Sequence, residues 1–172
     1  MAQLVYNPTL IDKEELRQML VGREALLEDL LKKIKESSGK KTFTNYILIG
    51  QRGIGKTHLL LLLYYAVKED PGLSQKWMPV RFNEEEYSIS SIGDFLLRIV
   101  EEISKDTGDS EAKAILDEAG SMSADALTDR ALSYLHKLRD SGRQILLLID
   151  NFDRILDQLG EIDTARLRDV LM

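Results

Sequence analysis

Apolar positions recur along the chain in two rhythms. Leu59 to Val67 is dense in Leu and Ala with no Gly or Pro, which predicts a helix that begins near Lys56 and includes His58. Ile92, Phe95, Leu96, Ile99 and Val100 share one face of a helix predicted over Ser91 to Ile103. Leu127, Ala131, Leu132 and Leu135 do the same over Asp125 to Arg139, which Ser141-Gly142 ends. Ala25, Leu26, Leu27, Leu30, Leu31 and Ile34 are spaced like a helical face after Gly22-Arg23-Glu24, and Leu10 to Arg23 opens with a short polar helix. Short unbroken apolar runs read instead as strands: Tyr46 to Ile49, expected to be buried, Ile145 to Ile149, expected to be fully buried, and Met78 to Phe82. Ser37 to Lys41 reads as a surface loop, Asp70-Pro71-Gly72 as a break, and the chain after Ile149 as helical to its end.

Strands alternating with helices predict an α/β fold: a three-layer α/β/α sandwich around a parallel sheet. The chain has 172 residues, enough for one domain with a sizeable core. The apolar share of 44% and charged share of 30% are ordinary for a globular protein. A net charge of −6 argues against general affinity for polyanions, so this chain gives no indication of a nucleic-acid partner. There is no cysteine, which excludes disulfides and thiolate metal sites. Met1 to Leu10 carries no signal pattern, and Leu59 to Val67 is too short to span a bilayer; we expect a cytoplasmic protein without a membrane partner. Residues 101–120 hold seven acids against two bases, which reads as a solvated helix–loop–helix surface.

The chemistry lies between the first strand and the helix that follows it. Gly50-Gln51-Arg52-Gly53-Ile54-Gly55-Lys56-Thr57 has the G-x-x-x-x-G-K-[ST] spacing of a Walker A phosphate loop. Gly50, Gly53 and Gly55 leave no Cβ in the way and can take positive φ, so successive N–H groups can turn inward as an anion nest. The helix that starts there adds unpaired N–H groups and the positive end of its dipole. Gln51, Arg52, Gly53, Ile54, Gly55, Lys56 and Thr57 are thus expected to line the phosphates. Lys56 reaches their charge, and Thr57 supplies a hydroxyl for Mg2+. His58 follows in the first turn, close to nucleotide or simply packed. Ile145-Leu146-Leu147-Leu148-Ile149-Asp150 has the Walker B form, in which Asp150 emerges at the carboxyl edge of the sheet to hold Mg2+ opposite Thr57.

Together with Leu20-Val21-Gly22-Arg23-Glu24, these motifs resemble the nucleotide-binding core of AAA+ ATPases, in the branch near origin-recognition and STAND signalling ATPases. The resemblance covers residues 18–172 and leaves 1–17 as an N-terminal extension. Val80-Arg81-Phe82-Asn83 also looks like the second strand of such proteins. The resemblance implies ATP or ADP with Mg2+ as cofactors. It places Val21, Gly22 and Arg23 on the adenine and implies a nucleotide-driven switch within a larger protein, with homo-oligomers formed through that parent. Lys56, Asp150 and Asn151 take the catalytic positions. Asn151 stands where these families usually carry an acid that polarises the attacking water, and an amide cannot take that proton at neutral pH; Asp153 is a possible substitute. A nucleotide-binding scaffold with little or no hydrolysis is therefore the alternative. The sensor strand and helical lid of these families are not found before Met172, and Val170-Leu171-Met172 ends the chain on an apolar helix, so we expect the fold to continue in a longer parent. Arg166 and Arg168 read as surface residues rather than an arginine finger.

Three other readings carry less. Asp157-Gln158-Leu159-Gly160 fits D-x-x-G of a GTPase, but it lies in helical sequence and no N-K-x-D element accompanies it. A phosphotransferase lacks a substrate-clamping arginine pattern. Trp77, Tyr64 and Tyr65 read as core or surface packing, because no basic residues interleave them, and His136 reads as an exposed residue of a helix with no partner in the sequence.

Overall fold

A computed structural model describes residues 12–40, 45–51, 53–82 and 89–171. Expectations for Leu10, Lys41, Arg52, Asn83 and Met172 lie outside the described residues.

The N-terminal helices are α1 (Lys13–Gln18) and α2 (Glu24–Ser37), followed by α3 (Lys56–Glu69) and the single turn α4 (Pro71–Ser74). Strand β1 (Trp77–Phe82) leads to α5 (Ile92–Thr107), α6 (Ser110–Glu118), a 3-10 turn (Ala119–Ser121) and α7 (Ala124–Asp140). Strand β2 (Gln144–Ile149) then precedes α8 (Phe152–Gln158) and α9 (Glu161–Leu171).

The boundaries follow local chemistry. The hydroxyls of Ser91 and Ser123 accept from Asp94 N and Ala126 N and so cap α5 and α7. Asp70 does more than break the chain. It ends α3, and its carboxylate accepts from Gly72 N (2.8 Å) and Leu73 N (3.1 Å) to start α4. The ion pair with Lys35 and these N–H groups hold that carboxyl below the usual range.

β1 and β2 run parallel, in a register that pairs Trp77 with Gln144 and Phe82 with Ile149. Parallel neighbours need a crossover, and α5 to α7 supply it. Side chains alternate across a strand, so the two faces of this sheet enter different cores. Met78, Val80, Phe82, Ile145, Leu147 and Ile149 join α5, α6 and α7. Within that core Phe82 stacks on Phe95 with ring centroids 5.0 Å apart. Trp77, Leu146 and Leu148 turn the other way, onto α1, α2 and α3. Trp77 is buried in that core and Tyr64 packs at its margin, while the Trp77 indole N–H donates to Ser38 Oγ at 2.7 Å and Lys68 Nζ donates to Tyr64 OH at 2.7 Å. Helices thus cover both faces of the sheet, as the three-layer reading requires.

Three expectations need correction. Tyr46 to Ile49 forms no ladder with a strand among the described residues, and Ile47 and Ile49 are 83% and 94% exposed. Leu48 alone turns inward, onto the α3 side of the sheet. An apolar run is buried only where neighbours cover it, and among the described residues no strand pairs with this one to cover Ile47 and Ile49. For the same reason β2 is half-buried rather than fully buried: β1 covers one edge, and only Leu148 is sequestered. In α2 the inward stripe is Leu27, Leu30, Leu31 and Ile34, whereas Ala25 and Leu26 are exposed; turning about 100° per residue carries both off it. In α7 Tyr134 joins the core and Leu132 sits at its margin. His136, Arg166 and Arg168 are exposed, as expected.

Candidate nucleotide site

The end of β2 and the start of α3 meet at one point. Leu148 and Leu146 pack on the α3 side of the sheet, which carries the strand to the head of that helix. The backbone N–H of Asp150 reaches Phe82 O at 3.5 Å, the last link to β1. Asp150 is only 9% exposed. Its Oδ2 accepts the hydroxyl hydrogen of Thr57, from the first turn of α3, and its Oδ1 accepts from Asn151 N at 3.0 Å. The two positions assigned to the metal by sequence are thus in direct contact. A buried carboxylate beside a hydroxyl supplies hard oxygen donors of the kind Mg2+ takes, together with water and phosphate oxygens. Among the described residues no group of three or more His, Cys, Asp or Glu side chains is placed to hold a metal ion.

Two glycines of the loop sit in the left-handed region. Gly53 and Gly55 lie at φ of 79° and 88°, where a Cβ is costly. Gly50 is not in the left-handed region; its constraint is space, since a Cβ there would come within 3.1 Å of Ile54 Cγ2. Ile54 N donates to Gln51 O at 3.4 Å, and Leu59 N to Gly55 O at 3.1 Å, which starts α3. Lys56 Nζ folds back onto the carbonyl oxygens of Gly50 (2.7 Å) and Gln51 (3.1 Å). The lysine therefore borders the loop it would serve. His58 is buried within α3.

Asn151 has φ 49° and ψ 46°, and among the described residues it is the one non-glycine with positive φ. Asn tolerates this region better than most residues, because its short polar side chain can bond locally. Its position follows the carboxylate and heads α8. Asp153 is exposed on that helix and makes no hydrogen bond or ion pair to Thr57 or Asp150 among the described residues. Asp157 and Gly160 straddle the end of α8, one helix beyond Asp150, which separates the D-x-x-G match from the loop.

The upstream segment also reaches the site. Gly22 has φ 75°, Arg23 heads α2, and Val21 is 82% exposed. A Cβ built on Gly55 would lie 2.7 Å from Arg23 Nη1, so the guanidinium rests on the loop. Sequence spacing does not reveal that contact.

No helix among the described residues is long and apolar enough to cross a membrane. Residues 19–169 match the family described as AAA ATPase domain. No curated protein and no solved structure gives a significant match.

Proposed function

The chain belongs to the AAA ATPase domain family, and from that membership we propose that it is a Mg2+-dependent ATP-binding module that hydrolyses ATP and acts as a nucleotide-driven switch in a larger cytoplasmic protein. The observation that carries the proposal is the contact of Thr57 with Asp150 at the mouth of a glycine loop that Lys56 already borders. The family implies nucleotide binding, and the residues fit a nucleotide with its cation. The left-handed glycines would let loop N–H groups turn inward, Lys56 would supply charge, and the Thr57–Asp150 pair would supply oxygen donors.

Bound Mg2+ would neutralise phosphate charge and make the terminal phosphorus easier to attack. Lys56 would exchange its carbonyl partners for phosphate oxygens. Thr57 and Asp150 would move from each other to the cation. Asn151, held at the carboxyl edge by its N–H bond to Asp150, can orient a water through its amide. It cannot accept that water's proton.

Asn151 favours a second reading, a scaffold that binds nucleotide and turns it over slowly or not at all. Steady-state phosphate release from Mg2+-ATP and ATP binding, each with Lys56→Ala as control, test both. Release that disappears in the variant supports the ATPase. Tight binding without release, lost in the variant, selects the scaffold. Equal ATP binding by wild type and variant contradicts the proposed site.

A further inference from the structure

Arg23 is half-buried at the head of α2, where the left-handed turn at Gly22 redirects the chain toward the glycine loop. Its guanidinium covers the last loop glycine: a Cβ on Gly55 would stand 2.7 Å from Nη1, 3.5 Å from Cζ and 3.9 Å from Nη2. Lys56 Nζ contacts the same short loop through Gly50 O and Gln51 O. Two cations therefore converge on one loop, and among the described residues no carboxylate pairs with either. They also share it with the positive end of the fourteen-residue helix α3. Like charges gathered on one loop repel, and an anion between them offsets the cost. The planar guanidinium fork matches two phosphate oxygens at once.

Resting on the nucleotide reading above, we infer that Arg23 binds the phosphate chain together with Lys56. This departs from the adenine-packing role that family resemblance gives its segment. Contact with the base falls instead to the exposed apolar side chain of Val21. Gly55 is then required twice, for its backbone angle and for the room it leaves the guanidinium.

The test measures binding of ATP, GTP and inorganic tripolyphosphate, all with Mg2+, to wild type, Arg23→Ala, Arg23→Lys and Lys56→Ala. Tripolyphosphate carries the charge without a base. Arg23→Ala should weaken ATP and tripolyphosphate alike, by about 10- to 100-fold for a lost charge-assisted pair, and leave the ATP:GTP ratio unchanged. Arg23→Lys should recover only part, because it keeps charge without the fork. Unchanged tripolyphosphate binding with a collapsed ATP:GTP ratio would assign Arg23 to the base and overturn the inference. So would tripolyphosphate that fails to bind wild type while ATP binds. Wild type that binds neither ligand, or Lys56→Ala that binds both like wild type, would instead overturn the nucleotide site itself and the inference with it.

Discussion

The hydroxyl of Thr57 donates to the carboxylate of Asp150, 93 residues further along the chain. α3 delivers one partner and β2 the other, and the carboxylate is almost fully enclosed. Taking a carboxylate out of water is costly unless its oxygens are engaged, and here both oxygens accept hydrogen bonds. The contact holds together two groups that a cation would draw on.

Removing the Asp150 charge separates metal dependence from nucleotide contact. Asp150→Asn keeps the shape of the side chain but weakens its grip on a divalent cation. We expect ATP affinity in the presence of Mg2+ to fall by about tenfold or more, and affinity in EDTA to stay near wild type. Paired titrations with and without Mg2+ read this directly. Equal losses under both conditions would place Asp150 outside the metal site.

Gly55→Ala should damage the loop in two ways. Alanine at φ 88° costs about 1–2 kcal/mol, and for a chain of this size each kcal/mol lowers the melting midpoint by roughly 2–4 °C. The new methyl would also push the Arg23 guanidinium away. ATP affinity should drop with the midpoint. A thermal melt and a binding isotherm that both match wild type would refute this account of the loop.

Asn151→Asp introduces a group able to take a proton at a position whose left-handed backbone Asp also tolerates. General-base assistance contributes roughly 10²–10⁴-fold where geometry allows. Phosphate release per site should therefore rise in the variant, with ATP affinity little changed. No increase would mean that the site lacks more than a base.

Tyr134 offers a check on the core. Its hydroxyl is buried with no hydrogen-bond partner among the described residues. Burial, reinforced by Asp109 and Glu111, pushes the phenol up to about 12 from its ordinary 10.0. The folded state thus holds the proton more tightly than the unfolded state, so the contribution is fully present below pH 10 and is lost as pH rises from 10 towards 12. Tyr134→Phe should flatten that alkaline loss. It should also raise stability at neutral pH by about 1 kcal/mol, because an unpaired buried hydroxyl is removed. Denaturant melts at pH 7 and pH 11 for both proteins test the two effects.

Which parts of this were legible in the sequence follows from the range of the forces involved. α3, α5 and α7 could be read because apolar periodicity and turn residues are local signals, and residues with those spacings share a face whatever surrounds them. The left-handed angles of Gly53 and Gly55 were legible for the same reason: glycine is the residue that takes them at least cost. Tyr46 to Ile49 was misread because burial depends on covering neighbours, and four apolar residues do not say whether any are present. Tyr134 escaped notice because its ring lies on the stripe while its hydroxyl suggests the surface. The left-handed angle at Asn151 and the approach of Arg23 to Gly55 are set by how β2 meets α8 and how α2 is carried to the loop, so they emerge only from tertiary packing.

The most direct measurement is calorimetric titration of ATP with Mg2+ into this chain, beside Lys56→Ala. The account predicts saturable, single-site binding that disappears in the variant. Heat that is absent from the wild type, or retained in the variant, would contradict a working phosphate loop at Gly50 to Thr57.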